Sequence, residues 1–305
     1  MSFNLVPAVP VPFSGSPECE CGCAGRSPRY PTDLTDAQWA VLEPLLPAML
    51  SRTELGGRPE KHRRRTMIDA MFYVADNGCK WRALPGDFPP WQTVYAMLAR
   101  WKADGAWADV VDRLRARVRA AEGRDPEPSA AVIDSQSVHE SAEGVVPAAT
   151  SGFDGFKKVN GRKRHLLVDT LGLLVAVTVT SAAVPDRDAA PVLLARARRR
   201  GRRRLSLAWA DNAYHGAYRE WSRQALGITV EIVDPQAQQD GRKGRGFQVL
   251  PRRWVVERTN AWTSRRRRCA RDYERLPAHH EAMVQIAAII QMTRRAAKTA
   301  TNAAW

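Results

Sequence analysis

The chain has 305 residues, of which 44% are hydrophobic, and this is enough for one large domain or two modest ones. Its 47 Lys and Arg residues outnumber its 32 Asp and Glu residues, and the formal net charge of +15 indicates a polyanionic partner, most commonly nucleic acid. No apolar run is long enough to cross a bilayer and residues 1–12 do not resemble a signal peptide, so we expect a cytoplasmic, nucleoid-associated protein without a membrane partner.

The first segment, residues 1–29, is predicted to be a disordered tail because it is rich in Pro, Gly and Ser and has no hydrophobic period. It contains Cys19, Cys21 and Cys23, each separated from the next by one residue. Zinc sites usually have two residues between paired thiols, so a thiol-rich tail is favoured over a metal site.

Residues 30–120 are predicted to form a small, all-helical domain that resembles a helix-turn-helix unit. Thr35 and Gln38 have the spacing of a capping box, and Gly78 is typical of a helix C-terminus. A later helix carries Gln92 and Thr93 outside its apolar positions, where a recognition helix would present them to the major groove. We predict DNA contacts for Gln92, Thr93 and Arg64, although the loop before this helix is longer than the usual turn.

A linker is predicted at residues 121–129, followed by an α/β domain at residues 130–296 and a disordered tail at residues 297–305. The α/β pattern is strand, strand, strand, helix, strand, helix, strand, helix. Three antiparallel strands followed by alternating units predict a mixed five-stranded sheet with flanking helices on both faces.

Three carboxylates occupy informative places in this pattern. Asp134 lies in the first strand, Asp211 ends the fourth strand, and Glu257 lies in the helix after the fifth. Ligand sites of open α/β sheets lie beyond strand ends, and neighbouring carboxylates tolerate one another with a bound metal ion. Each has an ordinary alternative: a turn or cap for the two Asp residues, and an ion pair with Arg253 or Arg258 for Glu257.

The same residues resemble the RNase H-like catalytic domain of bacterial insertion-sequence transposases of the DDE type. The resemblance rests on Ala-Asp-Asn-Ala-Tyr at residues 210–214, on Arg253 one helical turn before Glu257, and on Gly-Arg-Lys-Arg-His at residues 161–165. It extends over roughly residues 30–295. Leu250 stands where the family often has Tyr, and Ser264 where it often has Lys; these departures concern auxiliary DNA contacts.

The resemblance implies that Asp134, Asp211 and Glu257 are catalytic and bind metal, with Mg²⁺ as the cofactor and Mn²⁺ as its substitute. Two such ions about 3.5–4 Å apart would clamp the attacking and leaving oxygens at phosphorus. The implied reaction is DNA cleavage at the ends of an insertion sequence and strand transfer into target DNA. The implied partners are double-stranded DNA, namely terminal inverted repeats and target, and a second copy in a homodimer on DNA.

Basic side chains near the carboxylates are predicted to contact phosphates. The predicted set is Arg253, Arg258, Arg265, Arg162, Lys163 and Arg164. About half of the run from Arg265 to Arg268 is expected to face DNA, because contiguous residues spread around a helix. A fourth carboxylate, Asp169, is interpreted as a turn residue.

Two other functions fit parts of this pattern. A non-catalytic helix-turn-helix regulator would use only the helical domain and would tolerate the loss of each carboxylate. An RNase H-like nuclease or resolvase would share the metal site but would not join strands or require terminal repeats.

Overall fold

The computed structural model describes residues 28–48, 59–141, 145–200, 203–233 and 254–302. The predictions for Cys19, Cys21, Cys23 and Arg253 lie outside the described residues.

Helices occupy the N-terminal part that was predicted to be helical. They are α1 (Asp36–Leu42), α2 (Arg64–Asn77), α3 (Trp91–Ala103) and α4 (Ala106–Ala121). The capping box before α1 is confirmed, since Thr35 accepts from the Gln38 amide and the Gln38 side chain bonds back to Thr35. Gly78 ends α2 with a φ of 70°, the left-handed conformation that glycine adopts without strain.

The remaining described residues form a mixed sheet with helices. The strands are β1 (Ala130–His139), β2 (Gly152–Asp154), β3 (Val159–Asp169), β4 (Leu174–Ser181), β5 (Leu207–Ala210) and β6 (Thr229–Ile232). The helices are α5 (Asp186–Arg199), α6 (Tyr218–Leu226), α7 (Trp254–Ser264), α8 (Arg267–Ala270) and α9 (Pro277–Asn302). None of these helices, nor any other in the described ranges, has the length and apolar character needed to span a membrane.

Strand β1 lies inside the sheet, antiparallel to β3 and parallel to β5, and β6 pairs with β5 in parallel. The short strand β2 was not predicted from the sequence. It pairs with residues 159–161 of β3, whereas β4 pairs with residues 162–168 of β3. Because β1 occupies the other edge of β3, β2 and β4 follow one another along the same edge. The described sheet therefore has five strand positions side by side, here called columns, as expected. One column is shared by β2 and β4.

The two faces of the sheet pack against different helices. Val132 and Trp209 belong to a core that includes residues of α4, α7 and α9. Ile133 and Ala210 belong to a second core with residues of α5 and α6. The first core also contains Ile68 and other residues of the N-terminal helices, so one continuous core joins the two regions that the sequence analysis treated as separate domains.

Two predicted boundaries are corrected. The single helix expected at residues 252–269 is interrupted, because α7 ends at Ser264 and α8 begins at Arg267. The tail expected at residues 297–305 is helical as far as Asn302, since α9 continues to that residue. Ala297 is buried, and alanine has the highest helix propensity, which together extend the helix.

Candidate active site

Asp134 and Asp211 come together because Asp134 lies on β1 and Asp211 directly follows β5, the parallel neighbour of β1. Ala130 pairs with Leu207, and Val132 pairs with Trp209. Asp134 and Asp211 each lie two residues further along, in the same register. Neighbouring strands are about 4.8 Å apart, and residues in register project to the same face, so the two carboxylates are neighbours at the carboxyl end of β5.

The face on which these carboxylates lie is the one covered by α7. Val132 and Trp209, two residues earlier on each strand, point into the core that α7 helps to form. The Asn260 side chain of α7 donates a hydrogen bond from Nδ2 to Asp134 Oδ2 at 3.1 Å. Asp211 accepts from the Ala213 backbone amide at 3.0 Å and so caps the turn after β5. Both carboxylates are half-buried.

Glu257 lies on the same edge of α7, one turn before Asn260. Residues 257, 260 and 264 share one side of a helix at this spacing. The second and third of them reach β1, since Asn260 donates to Asp134 and Ser264 Oγ lies 3.4 Å from the Gln136 side-chain oxygen. Glu257 itself is exposed. Within the described ranges, no three His, Cys, Asp or Glu side chains are placed to hold a metal ion. The arrangement is therefore a close pair, with a third carboxylate on the adjoining helix edge.

The buried phenol of Tyr214 lies within the electrostatic reach of both aspartates. Burial raises the pKa of this fully buried phenol well above its usual value, and the negative charges of Asp186, Asp134 and Asp211 raise it further. A site that concentrates negative charge in this way favours a cation. Its donors are carboxylate oxygens, which suit Mg²⁺ or Mn²⁺ better than softer metals.

The basic run of β3 is directed into the protein. Arg162 and Arg164 are both 0% exposed. Arg162 pairs with Asp272 at 2.9 Å and also donates to the carbonyls of Glu274 and Arg275. Arg164 donates to the Cys269 carbonyl at 2.7 Å. The segment between α7 and α9 covers these side chains, and their burial is not compatible with the phosphate contacts expected from the sequence.

Lys163 is also occupied inside the protein. Its Nζ atom is 3.3 Å from Asp154, 3.1 Å from Asp186 and 3.1 Å from the Val184 carbonyl. Only 7% of this side chain is exposed. Lys163 therefore joins the β2–β3 turn to the start of α5 and does not extend towards DNA.

Arg64 and Arg258 are held by neighbouring aromatic and carbonyl groups. Arg64 makes two hydrogen bonds to Glu60, at 2.6 and 2.7 Å, and lies 5.6 Å from the centre of the Trp101 ring. Arg258 stacks between two tryptophans of α7 and donates to the Leu171 carbonyl at 3.0 Å. Arg64 is 10% exposed, so its predicted DNA contact conflicts with its burial, whereas Arg258 remains half-buried.

The run from Arg265 to Arg268 divides into two outward and two inward side chains. Arg265 and Arg267 are exposed. Arg266 pairs with Asp76, and buried Arg268 pairs with Glu274 at 2.7 Å. This division comes from the break between α7 and α8.

Of the remaining predicted residues, Gln92 and Thr93 lie at the surface and Asp169 is buried in a turn. Gln92 and Thr93 are exposed in the first turn of α3, where a ligand can reach them. Asp169 is the buried turn residue that was expected: it accepts from the Leu171 and Leu173 amides and pairs with Arg119 at 2.7 Å.

Asn260 and Tyr214 adjoin the site and were not predicted as parts of it from the sequence. Asn260 carried a usable signal, because it follows Glu257 by three residues on one helix face. Tyr214 ends the Ala-Asp-Asn-Ala-Tyr segment, but its burial in the core with α5 and α6 depends on how the turn after β5 packs.

Comparison with known proteins identifies the family of the chain. Residues 34–111 match a family described as "Putative transposase of IS4/5 family (DUF4096)". Residues 125–292, a range that includes Asp134, Asp211 and Glu257, match the family "Transposase DDE domain". The chain belongs to the DDE transposase family. As a transposase its partner is DNA, and DDE transposase domains in general use divalent metal ions.

This transposase is also similar to a curated bacterial protein. It is 31% identical over 107 residues to the "Insertion element IS402 uncharacterized 16.2 kDa protein" of Burkholderia cepacia. The similar region covers 34% of the transposase and 71% of the Burkholderia protein.

Proposed function

We propose that this DDE transposase cleaves DNA at the ends of its insertion sequence and transfers the cut strand into target DNA. Asp134, Asp211 and Glu257 are proposed as the catalytic and metal-binding residues. The observation that supports the proposal is the parallel register of β1 and β5, in which Asp134 and Asp211 each follow a paired position by two residues, at the edge where Asn260 of α7 bonds Asp134.

Each side chain has a distinct proposed role. Asp134 and Asp211 present the oxygen ligands, and Asn260 holds the orientation of the Asp134 carboxylate. Glu257, on the adjoining edge of α7, would complete the ligand set and orient the attacking hydroxyl. Bound Mg²⁺, or Mn²⁺ in its place, would lower the pKa of the attacking group and stabilise charge at phosphorus.

DNA would approach from the side where cations remain exposed. Arg265 and Arg267 are proposed to hold backbone phosphates, with Arg258 nearby. Gln92 and Thr93 are proposed to contact base edges of the terminal inverted repeats. Since both ends of an element must be held together, a homodimer on nucleoid DNA is proposed as the active form.

The decisive experiment measures strand cleavage and strand joining on a duplex that carries the end of the flanking element. The full chain is incubated with Mg²⁺, with Mn²⁺ or with EDTA, and Asp211→Asn is compared with the natural protein. The proposal predicts metal-dependent nicking and joining, both reduced at least about 1000-fold in Asp211→Asn, with DNA binding retained.

Asp104→Asn serves as the matched control, because Asp104 is an exposed carboxylate at the C-terminus of α3. DNA binding with no cleavage by any protein would favour a non-catalytic regulator. Cleavage without joining would favour a nuclease or resolvase. Cleavage that survives Asp211→Asn would show that the active site lies elsewhere.

A further inference from the structure

The turn between β2 and β3 exposes two phenylalanines. Phe156 is 94% exposed and Phe153 is 57% exposed. Residues 153–158 are called the Phe156 turn below. Single exposed apolar side chains are common on proteins, so the surroundings of this pair decide whether it has a role.

The Phe156 turn is held firmly in place. Buried Asp154 accepts hydrogen bonds from the backbone amides of Phe156 and Lys157, both at 3.1 Å. Ser137 donates to the same carboxylate at 2.6 Å. Lys158 follows with a φ of 53°, a conformation that fixes the direction of the chain at this point. The exposure of Phe156 is therefore a feature of an organised turn.

The turn adjoins the segments that carry both catalytic aspartates. Lys157 Nζ donates to the carbonyl of Ser135, the residue directly after Asp134, at 3.0 Å. A cavity of about 340 Å³ separates the turn from the start of α5, and Ala213 forms part of its wall. Ala213 is the residue whose amide is bonded to Asp211.

The cations exposed around the aromatic side chains lie beside acidic groups that are mostly buried, Asp154 and Asp186 in the cavity wall, and beside exposed Asp188, which is 3.9 Å from Arg187. Lys157, Lys158 and Arg187 are exposed, and Lys157 and Arg187 line the cavity with Phe153 and Phe156. Aromatic side chains among cations form the usual platform for nucleic-acid bases, which stack while the cations hold phosphates. A contact of this turn with the same turn of a second copy would bring Lys157 and Lys158 of both copies together, so like-charge repulsion disfavours such a contact here.

We propose that Phe156 stacks on an unpaired base of the DNA strand held at the catalytic carboxylates, while Lys158 and Arg187 contact the flanking phosphates. This inference rests on the proposed function for the presence of DNA at Asp134 and Asp211. It adds a base-binding element on the opposite side of β1 from α7. The cavity beside Phe156 gives the displaced base a place to enter.

The test measures DNA binding in EDTA, so that cleavage does not affect the result. Duplexes of the element end carry 2-aminopurine at successive positions near the cut site, in matched and mismatched forms. Stacking on Phe156 predicts that the natural protein binds a duplex with a mismatched base at the responsive position more tightly than the paired duplex. It also predicts a position-specific change in 2-aminopurine fluorescence.

Phe156→Ala should weaken binding roughly 5- to 150-fold and abolish both the mismatch preference and the fluorescence change. Phe156→Trp should restore them. Trp221→Ala is the matched control, because Trp221 is a 42% exposed aromatic residue on α6, outside the turn, and it should behave like the natural protein. Thermal unfolding of each variant verifies that the fold is retained.

Salt dependence separates stacking from phosphate contact. Lys158→Ala and Arg187→Ala should each reduce the slope of log affinity against log salt by about 0.9, whereas Phe156→Ala should leave the slope unchanged.

The inference is overturned if Phe156→Ala binds with natural affinity and an unaltered fluorescence profile. It is also overturned if that variant changes only the oligomeric mass in light scattering, because the turn would then contact a second copy. Failure of the proposed catalysis is distinguishable from failure of this inference. If Asp211→Asn cleaved DNA normally, the proposed catalytic residues would be wrong, while the binding measurements in EDTA would still report on stacking at Phe156.

Discussion

At the scale of single residues, arginine either stabilises the fold from a buried position or remains exposed and able to bind a ligand, depending on what packs over it. Arg162 is fully buried and pairs with fully buried Asp272, whereas Arg265 is exposed near the C-terminal end of the Glu257 helix. Removal of one partner from a buried ion pair leaves an uncompensated charge in a poorly solvated place. An exposed arginine has no such effect on folding.

Arg162→Ala is therefore expected to lower the free energy of unfolding by about 3–5 kcal/mol. Arg265→Ala should change it by less than about 0.5 kcal/mol but should weaken DNA binding. Urea unfolding and a DNA titration on both variants check this contrast. If Arg162→Ala kept full stability and lost DNA affinity instead, the structural role assigned to Arg162 would be wrong.

Asn260 gives a second prediction at this scale, because its amide holds the Asp134 carboxylate at 3.1 Å. Residues that orient metal ligands typically contribute 10- to 100-fold, so Asn260→Ala should reduce the cleavage rate by about that factor. The metal concentration needed for half-maximal nicking should rise, and DNA affinity in EDTA should stay unchanged. Equal losses of binding and cleavage would indicate that Asn260 contacts DNA and does not act through Asp134.

At the scale of elements, the β2–β3 turn is organised by one carboxylate. Burial raises the pKa of Asp154, but hydrogen bonds from Ser137 and the Lys157 amide, together with the Lys163 charge, outweigh burial and lower it to about 2. A depressed carboxyl pKa gives stability that is fully present above pH about 4. This stability is lost as the pH falls towards 2.

Asp154→Asn should accordingly lower the free energy of unfolding by about 2 kcal/mol at pH 7. The difference from the natural protein should fall to about half at pH 3, because the unfolded-state carboxyl binds protons near pH 4 while the native carboxylate stays ionised until about pH 2. Urea unfolding across this pH range measures the effect, with Asp104→Asn as the exposed control. A difference that is independent of pH would contradict the assigned ion-pair and hydrogen-bond origin.

Helix α7 shows how an element can be predicted in kind while its detail depends on packing. The hydrophobic pattern of the sequence predicts a helix after the fifth strand column and places Glu257 on it. The break after Ser264 separates exposed Arg265 from Arg266, which pairs with Asp76 of α2. That break is decided by contacts between distant segments, which no local period encodes.

At the scale of the whole molecule, α9 joins the N-terminal helices to the sheet. Its Glu281 is buried and accepts from Lys102 of α3 at 2.8 Å, from Arg196 of α5 at 2.7 Å and from the Val179 amide of β4 at 3.2 Å. The hydrophobic core that includes Ile286 continues from α2 to the sheet. The helical and catalytic regions are thus expected to unfold together.

Calorimetry should show one cooperative transition for the full chain, with calorimetric and van't Hoff enthalpies in agreement. Glu281→Ala should lower the midpoint temperature of this transition without splitting the transition into two, because the shared apolar core remains. Glu122→Ala is a suitable control, since Glu122 makes a more exposed ion pair with Arg295. Two separate transitions would mean that the helical region folds independently, as the sequence analysis assumed.

The sequence by itself determined the order of the main helices and strands and the five sheet columns, because hydrophobic period and turn residues are local signals. It also placed Asp134 on the first strand, Asp211 at the end of the fourth predicted strand and Glu257 on the helix after the last one. Only the tertiary structure decided which arginines face solvent. Arg162 is buried beside Asp272 and Arg265 is exposed after α7, because different segments pack over the two positions. It also placed Asn260 against Asp134, buried Tyr214 in the core beside α5 and α6, and joined the two expected domains through one core that includes α9. These outcomes depend on contacts between residues far apart in the chain, for which local patterns carry no signal.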